Sequence, residues 1–152
     1  MNMATRLRQY AMMILAAIIA AFANGTIAAA ACINGHPSVA SEYKMSQAVI
    51  SARVLIAKRV PPTRDDYFLD GTMYLVTVQK SYKGNPADTI TIFSENSSGR
   101  FPLQIGHEYL LFLYHDHGRY QVDNCGSSDE MAKASDRITE VEKIAAGRGI
   151  RR

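Results

Sequence analysis

Cysteine is scarce in this chain: Cys32 and Cys125 are the 2 cysteines among 152 residues. They are far apart, and the absence of a Cys-x-x-Cys pair removes the usual basis for a dithiol redox centre. There is no glycine-rich phosphate loop, no G-x-S-x-G elbow and no pair of carboxylates placed by a motif. An enzymatic reading therefore has no residues to name. Repeats and low-complexity tracts are absent as well. So is an apolar run of the about 20 residues that a membrane helix needs. Ala11 to Ala23, "AMMILAAIIAAFA", is uncharged and apolar but only 13 residues long.

That short run has a different context. Arg6 and Arg8 precede it, and the small residues of "NGTIAAAA" follow it. A positive head, an apolar centre and an alanine-rich exit are the layout of a secretory signal peptide, expected over residues 1–31. Ala28-x-Ala30 and Ala29-x-Ala31 both fit a peptidase site, and cutting after Ala31 would make Cys32 the first residue. "Ala-Ala-Ala-Cys" also has the outline of a lipoprotein box, with Ala29 where leucine is usual. Export to the periplasm or the medium is expected, with an anchor through lipidated Cys32 as the alternative.

The charge balance excludes one class of partner. Without Arg6 and Arg8, the 17 basic residues fall to 15 against 14 acidic ones, a net charge of +1. Such a chain lacks the basic footprint of nucleic-acid binding. What remains is one domain over residues 32–146 and a basic tail, "GRGIRR", over 147–152. Two cysteines in an exported chain are the even number that one disulfide requires. Cys32 bonded to Cys125 is one reading; lipidated Cys32 with a free Cys125, and a redox role, are the others.

The domain reads as mainly β. In "QAVISARVLIAKRV", 47–60, the residues Ile50, Ala52, Val54 and Ile56 alternate with polar ones, which predicts a half-buried strand. "TMYLVTVQKSYKG" predicts a second, with Tyr74, Val76 and Val78 inward, and "DTITIF" a third, with Ile90 and Ile92 inward. "EYLLFLY", 108–114, is apolar on both faces, as a strand between two layers is. "GRYQVDN" predicts a fifth, and His115-Asp116-His117-Gly118 becomes the reversal before it. Phe101, Leu103 and Ile105 are expected to tuck under the loop ahead of the fourth strand, and Lys83 to be solvated. Ser127 to Glu130 matches a capping box. The apolar stripe Met131, Ala134, Ile138, Val141 and Ala145 then predicts a helix ending at Gly147. Five short strands and a terminal helix suit a small closed barrel.

Taken in order, "QAVISARV", "YLVTVQKSYKG", "TITIF", "IGHEYLLFL" and "YQVDNCGSS" behind Cys32 resemble the netrin-like domain. The likeness is to bacterial secreted proteins similar to tissue inhibitors of metalloproteinases, and it spans about Cys32 to Ser128. The resemblance implies a five-stranded OB-type Greek-key barrel with the helix packed on it. It also implies a non-catalytic binding module whose protein partner is a zinc metalloprotease. There the amine and carbonyl oxygen of an N-terminal Cys32 would meet the protease's zinc in trans, and Cys125 would anchor Cys32. The family begins Cys-x-Cys, whereas this chain has Cys32-Ile33-Asn34, so one anchor is missing. A non-inhibitory envelope interaction domain is the alternative function. No cofactor and no metal of the chain's own are expected, because His115 and His117 have no third ligand placed beside them. Tyr67 and Phe68 are left between contacting a partner and folding back.

Overall fold

The computed structural model describes residues 32, 35–62, 70–97, 99–116 and 118–149. Residues 1–31, over which a signal peptide is expected, Tyr67, Phe68, His117 and the last three residues lie outside these. Among the described residues six strands and two α-helices follow in the order α1 (Val39–Met45), β1 (Ala48–Val60), β2 (Gly71–Lys83), β3 (Thr89–Glu95), β4 (Glu108–Asp116), β5 (Arg119–Val122), β6 (Asp129–Glu130), a 3-10 turn (Met131–Lys133) and α2 (Ser135–Gly149).

Alternating apolar residues close the sheet on itself. β1 pairs with β2, β2 with β3, β3 with β5, β5 with β4, and β4 returns to β1. Every pairing in this ring is antiparallel except the contact of β3 with β5 at Ile92 and Tyr120. This is a five-stranded OB-type barrel, and closure removes most of the open edge a flat sheet would carry. β6 extends it by pairing with Tyr109 and Leu110 of β4.

The two-sided apolar character of β4 follows from its place between two cores. Tyr109, Leu111 and Leu113 point into the barrel with Ile50, Ala52, Val54, Val76 and Ile92. Leu110 and Phe112 point out, where Tyr43 of α1, Ala134 at the end of the 3-10 turn and Val141 of α2 cover them. α2 thus packs on the barrel through the predicted stripe, with Met131, Ile138 and Ala145 at its margin. Phe101 and Leu103 seal the barrel, and the Phe101 ring stands edge-on to Tyr109 at 6.0 Å.

Five expectations are corrected. Ile56 is 53% exposed, because a register shift leaves Leu55 without a cross-strand mate and the pairing of β1 with β4 stops at Arg53. Ile105 is 60% exposed, on a turn with Gly106, whose φ of 84° carries the chain into β4. The Ser127–Glu130 capping box caps no helix: Ser128 Oγ accepts the Phe112 amide at 2.9 Å, and Glu130 lies in β6. α2 starts only at Ser135 and continues past Gly147 to Gly149.

Lys83 is the fifth correction. Helix α1 was not visible in the sequence, and its C-terminus needs partners for its last carbonyls. Lys83 supplies them: its ammonium donates to Tyr43 O at 2.6 Å, to Lys44 O at 2.9 Å and to Ser46 O. Tyr43 Oη in turn donates to Tyr82 O at 2.6 Å, so α1 is fastened to the end of β2. The cation also sits at the negative end of the helix dipole. Lys83→Met keeps the stem and removes the ammonium. It is expected to lower the unfolding free energy by about 1 to 2 kcal/mol, read by urea denaturation.

Candidate functional site

The predicted site residues meet at the N-terminal end of the domain. Cys32 and Cys125 form a disulfide with a Cα–Cα distance of 5.6 Å. Local chemistry shapes the segment after Cys32. Its carbonyl accepts the Gly35 amide at 2.9 Å, with Gly35 at a φ of 71°. Pro37 follows, and Ser38 then caps α1 by accepting the Ser41 amide at 3.2 Å. The chain therefore enters a helix within a few residues of the disulfide.

Two further ties join this segment to the stretch behind Cys125. His36 Nδ1 lies 2.9 Å from Cys125 O. A carbonyl can only accept, so the Nδ1 position carries the proton. One turn of helix further on, the carboxylate of Glu42 accepts the Ser127 amide. Cys125 itself is held by its amide donating to Asp123 Oδ1 at 2.8 Å. The knuckle is thus a covalent bond, a histidine and a carboxylate in succession, all reaching the same short loop.

Glu42 is the unusual member. It is fully buried, and Oε1 has no hydrogen-bond partner among the described residues. Burial raises its pKa above the ordinary glutamate value; the Ser127 hydrogen bonds pull it down, and the charge of Asp123 adds to the rise. Tyr114 faces the same space. Burial, helped by the negative field of Glu42, pushes its phenol up to about 12. Gly126 leaves room for the carboxylate, since a Cβ there would stand 2.2 Å from Oε1 and 3.1 Å from Asp123 O.

The other candidates stay apart. His115 is exposed, with its ring edge-on to Tyr120 at 5.4 Å. Asp116 pairs with Arg119 across the hairpin, and Gly118 takes a φ of 78° in its turn. His107 Nδ1 lies 2.5 Å from Glu130 Oε1, a contact that holds Glu130 below the usual carboxylate range together with Lys133. Among the described residues no group of three or more His, Cys, Asp or Glu is placed to hold a metal. Ser97 accepts the Gly99 amide and shapes a loop. No helix of the described residues is long and apolar enough to cross a membrane.

Sequence reasoning found Cys32 and Cys125 and missed His36 and Glu42. Glu42 carries no signal of its own, because nothing in "SVASEYKM" marks that glutamate as buried. The Ser38 cap before it was the available hint of a helix. Against known proteins, no family model matches the chain and no curated protein matches it.

Proposed function

We propose that the chain is an exported, netrin-like protein-binding module that acts without catalysis and presents the clamped Cys32 as its tip. The observation that carries this reading is the Cys32–Cys125 disulfide, which seats the residue following the alanine run on a closed barrel. A free thiol would be a reagent; a disulfide is a fixed shape. A lipid anchor would need the sulfur that the disulfide already uses, which favours a secreted or periplasmic protein over a lipoprotein.

Cleavage after Ala31 gives Cys32 an α-amine with a pKa of about 7.7 to 8.0, so losing its proton near neutral pH costs little. The amine and the Cys32 carbonyl then offer two donors to the open position of a protease zinc. The Gly35 amide donates to that carbonyl and fixes its direction. The disulfide, His36 and Glu42 hold the tip before it binds, which reduces the ordering cost on association. The second reading is an interaction domain that inhibits nothing. It is favoured by the start Cys32-Ile33-Asn34, which provides one covalent anchor where the inhibitors it resembles have a second cysteine.

The test is direct. N-terminal sequencing of the exported protein is expected to begin at Cys32, and intact mass is expected to rise by two hydrogens on reduction. Zinc metalloproteases assayed with this form are expected to be inhibited, and one alanine added before Cys32 is expected to abolish the inhibition. Binding of a partner that survives the added alanine selects the second reading.

A further inference from the structure

The barrel is closed over only half of β1. β4 pairs with β1 from Ala48 to Arg53, and the turn before β4 takes up Val54: its amide donates to His107 O at 3.0 Å, and its carbonyl accepts the Gly106 amide at 2.8 Å. Beyond the bulge at Leu55 the strand continues from Ile56 to Val60, paired among the described residues with β2 alone. Among the described residues, no strand lies on its outer edge. A β-edge of this kind presents unpaired main-chain donors and acceptors and is a template for another strand.

The side chains at this edge are unusual for solvent. Of the four large hydrophobic residues that stand exposed among the described residues, three adjoin it: Leu55 at 42%, Ile56 at 53% and Ile105 at 60%. Past the bulge, alternation places Ile56, Lys58 and Val60 on one face, where Ile56 and Lys58 stand across from the half-buried Leu75 and Met73. Lys58 has no ion pair among the described residues, whereas Arg53 is bound to Glu108 and Arg59 to Asp70. The face therefore reads apolar, cationic, apolar.

We propose that the outer edge of β1 from Leu55 to Val60 binds an extended segment of a partner protein that carries an acidic residue flanked, two positions to either side, by apolar ones. The main chain would add a strand to the barrel, the acidic side chain would face Lys58, and the apolar ones would cover Ile56 and Val60. A second copy of the chain is a poor occupant. Edge-to-edge pairing would bring the Lys58 and Arg59 cations of the two copies together, and the bulge at Leu55 twists the edge away from its own image. This surface is distinct from the Cys32 knuckle: the knuckle meets β4 near its end, at Phe112 and Tyr114, whereas the open edge begins beside the turn that precedes β4.

The probe is a labelled, end-capped peptide reading valine, threonine, glutamate, threonine, valine, which has the same pattern in either strand direction. It is titrated into the oxidised protein by fluorescence anisotropy and by amide NMR. Saturable binding is expected with a Kd of about 1 mM or tighter, with the largest shifts over residues 55–60. N-methylation of alternate peptide amides, or lysine in place of glutamate, is expected to weaken binding at least tenfold. Lys58→Glu, an exposed change checked by circular dichroism, is expected to reverse the preference between the two peptides. The form with an alanine before Cys32 is expected to bind as the parent does, which separates this surface from the function proposed for the tip. No saturable binding, equal binding of the glutamate and lysine peptides, or shifts centred elsewhere would overturn the proposal. So would a dimer in sedimentation that Ile56→Lys dissolves, since the edge would then belong to a second copy.

Discussion

Replacing Cys32 and Cys125 with serine is expected to lower the unfolding free energy by roughly 4 to 5 kcal/mol. The two residues are 93 apart in sequence, so the bond closes nearly the whole domain into one loop. Cross-linking residues so distant removes most of the conformations in which an unfolded chain could hold its ends apart. Small domains are stable by only about 5 to 15 kcal/mol, so the variant is left close to its limit. Because either cysteine opens the loop, Cys32→Ser alone is expected to cost nearly as much as the pair. Guanidinium denaturation of the oxidised protein, the reduced protein and both variants measures this. A loss below about 1 kcal/mol would mean that the unfolded chain is compact without the bond, or that the disulfide opposes the native geometry. His36 and Glu42 still tie the segment to the loop after Cys125, so a folded but looser tip is expected at low denaturant.

The function proposed for the tip is weakened by that looseness. A Cys32 that samples many positions loses entropy on binding, so the reduced or substituted chain should lose partner affinity even where it remains folded. The barrel contributes a rigid platform, and the knuckle contributes position.

Long-range periodicity made most of this architecture legible. Ile50, Ala52 and Val54 alternate, and they are buried in the barrel. The unbroken apolar run of β4 announced a strand covered on both sides, and Leu110 and Phe112 do meet a second core. The stripe from Met131 to Ala145 located α2 by its contacts, although the start was placed too early. Ser127 and Glu130 have the residue types of a cap, but tertiary demands took them first. A barrel amide uses Ser128, Glu42 uses the Ser127 amide, and β4 pairs with Glu130. Helix α1 was illegible for a different reason. Seven residues hold too few turns to show a period, and its stability comes from Lys83 and Tyr82, distant in sequence. At the site, the cysteines could be read because few pairings exist for two. Glu42 could not, since a buried charge is defined by what surrounds it.

Glu42 and Gly126 carry the second large effect. Gly126→Ala is expected to destabilise the domain by roughly 1 to 3 kcal/mol, because its Cβ would enter the space of the Glu42 carboxylate and approach the Asp123 carbonyl. Neither obstacle is the free end of a surface side chain, so relief requires the loop behind Cys125 to move. Glu42→Ala empties that space at its own cost: it leaves a void and a buried Ser127 amide without its acceptor. The two changes are therefore expected to be less harmful together than their sum, with a coupling of roughly 1 kcal/mol or more in a double-mutant cycle. Glu42→Gln isolates the charge. The folded-state pKa of Glu42 lies above its unfolded value, so its favourable contribution is complete below the unfolded pKa and is lost as pH rises through the folded pKa. At neutral pH the buried carboxylate thus opposes folding relative to its protonated form. The glutamine retains an oxygen for Ser127 and carries no charge. It is expected to match or exceed the parent in stability near pH 7 and to remove the part of the pH dependence that declines above the unfolded pKa. Denaturation midpoints for parent and variant from acid to neutral pH read the difference, and a Glu42→Gln curve that runs parallel to the parent's would show that the carboxylate is not held against its charge.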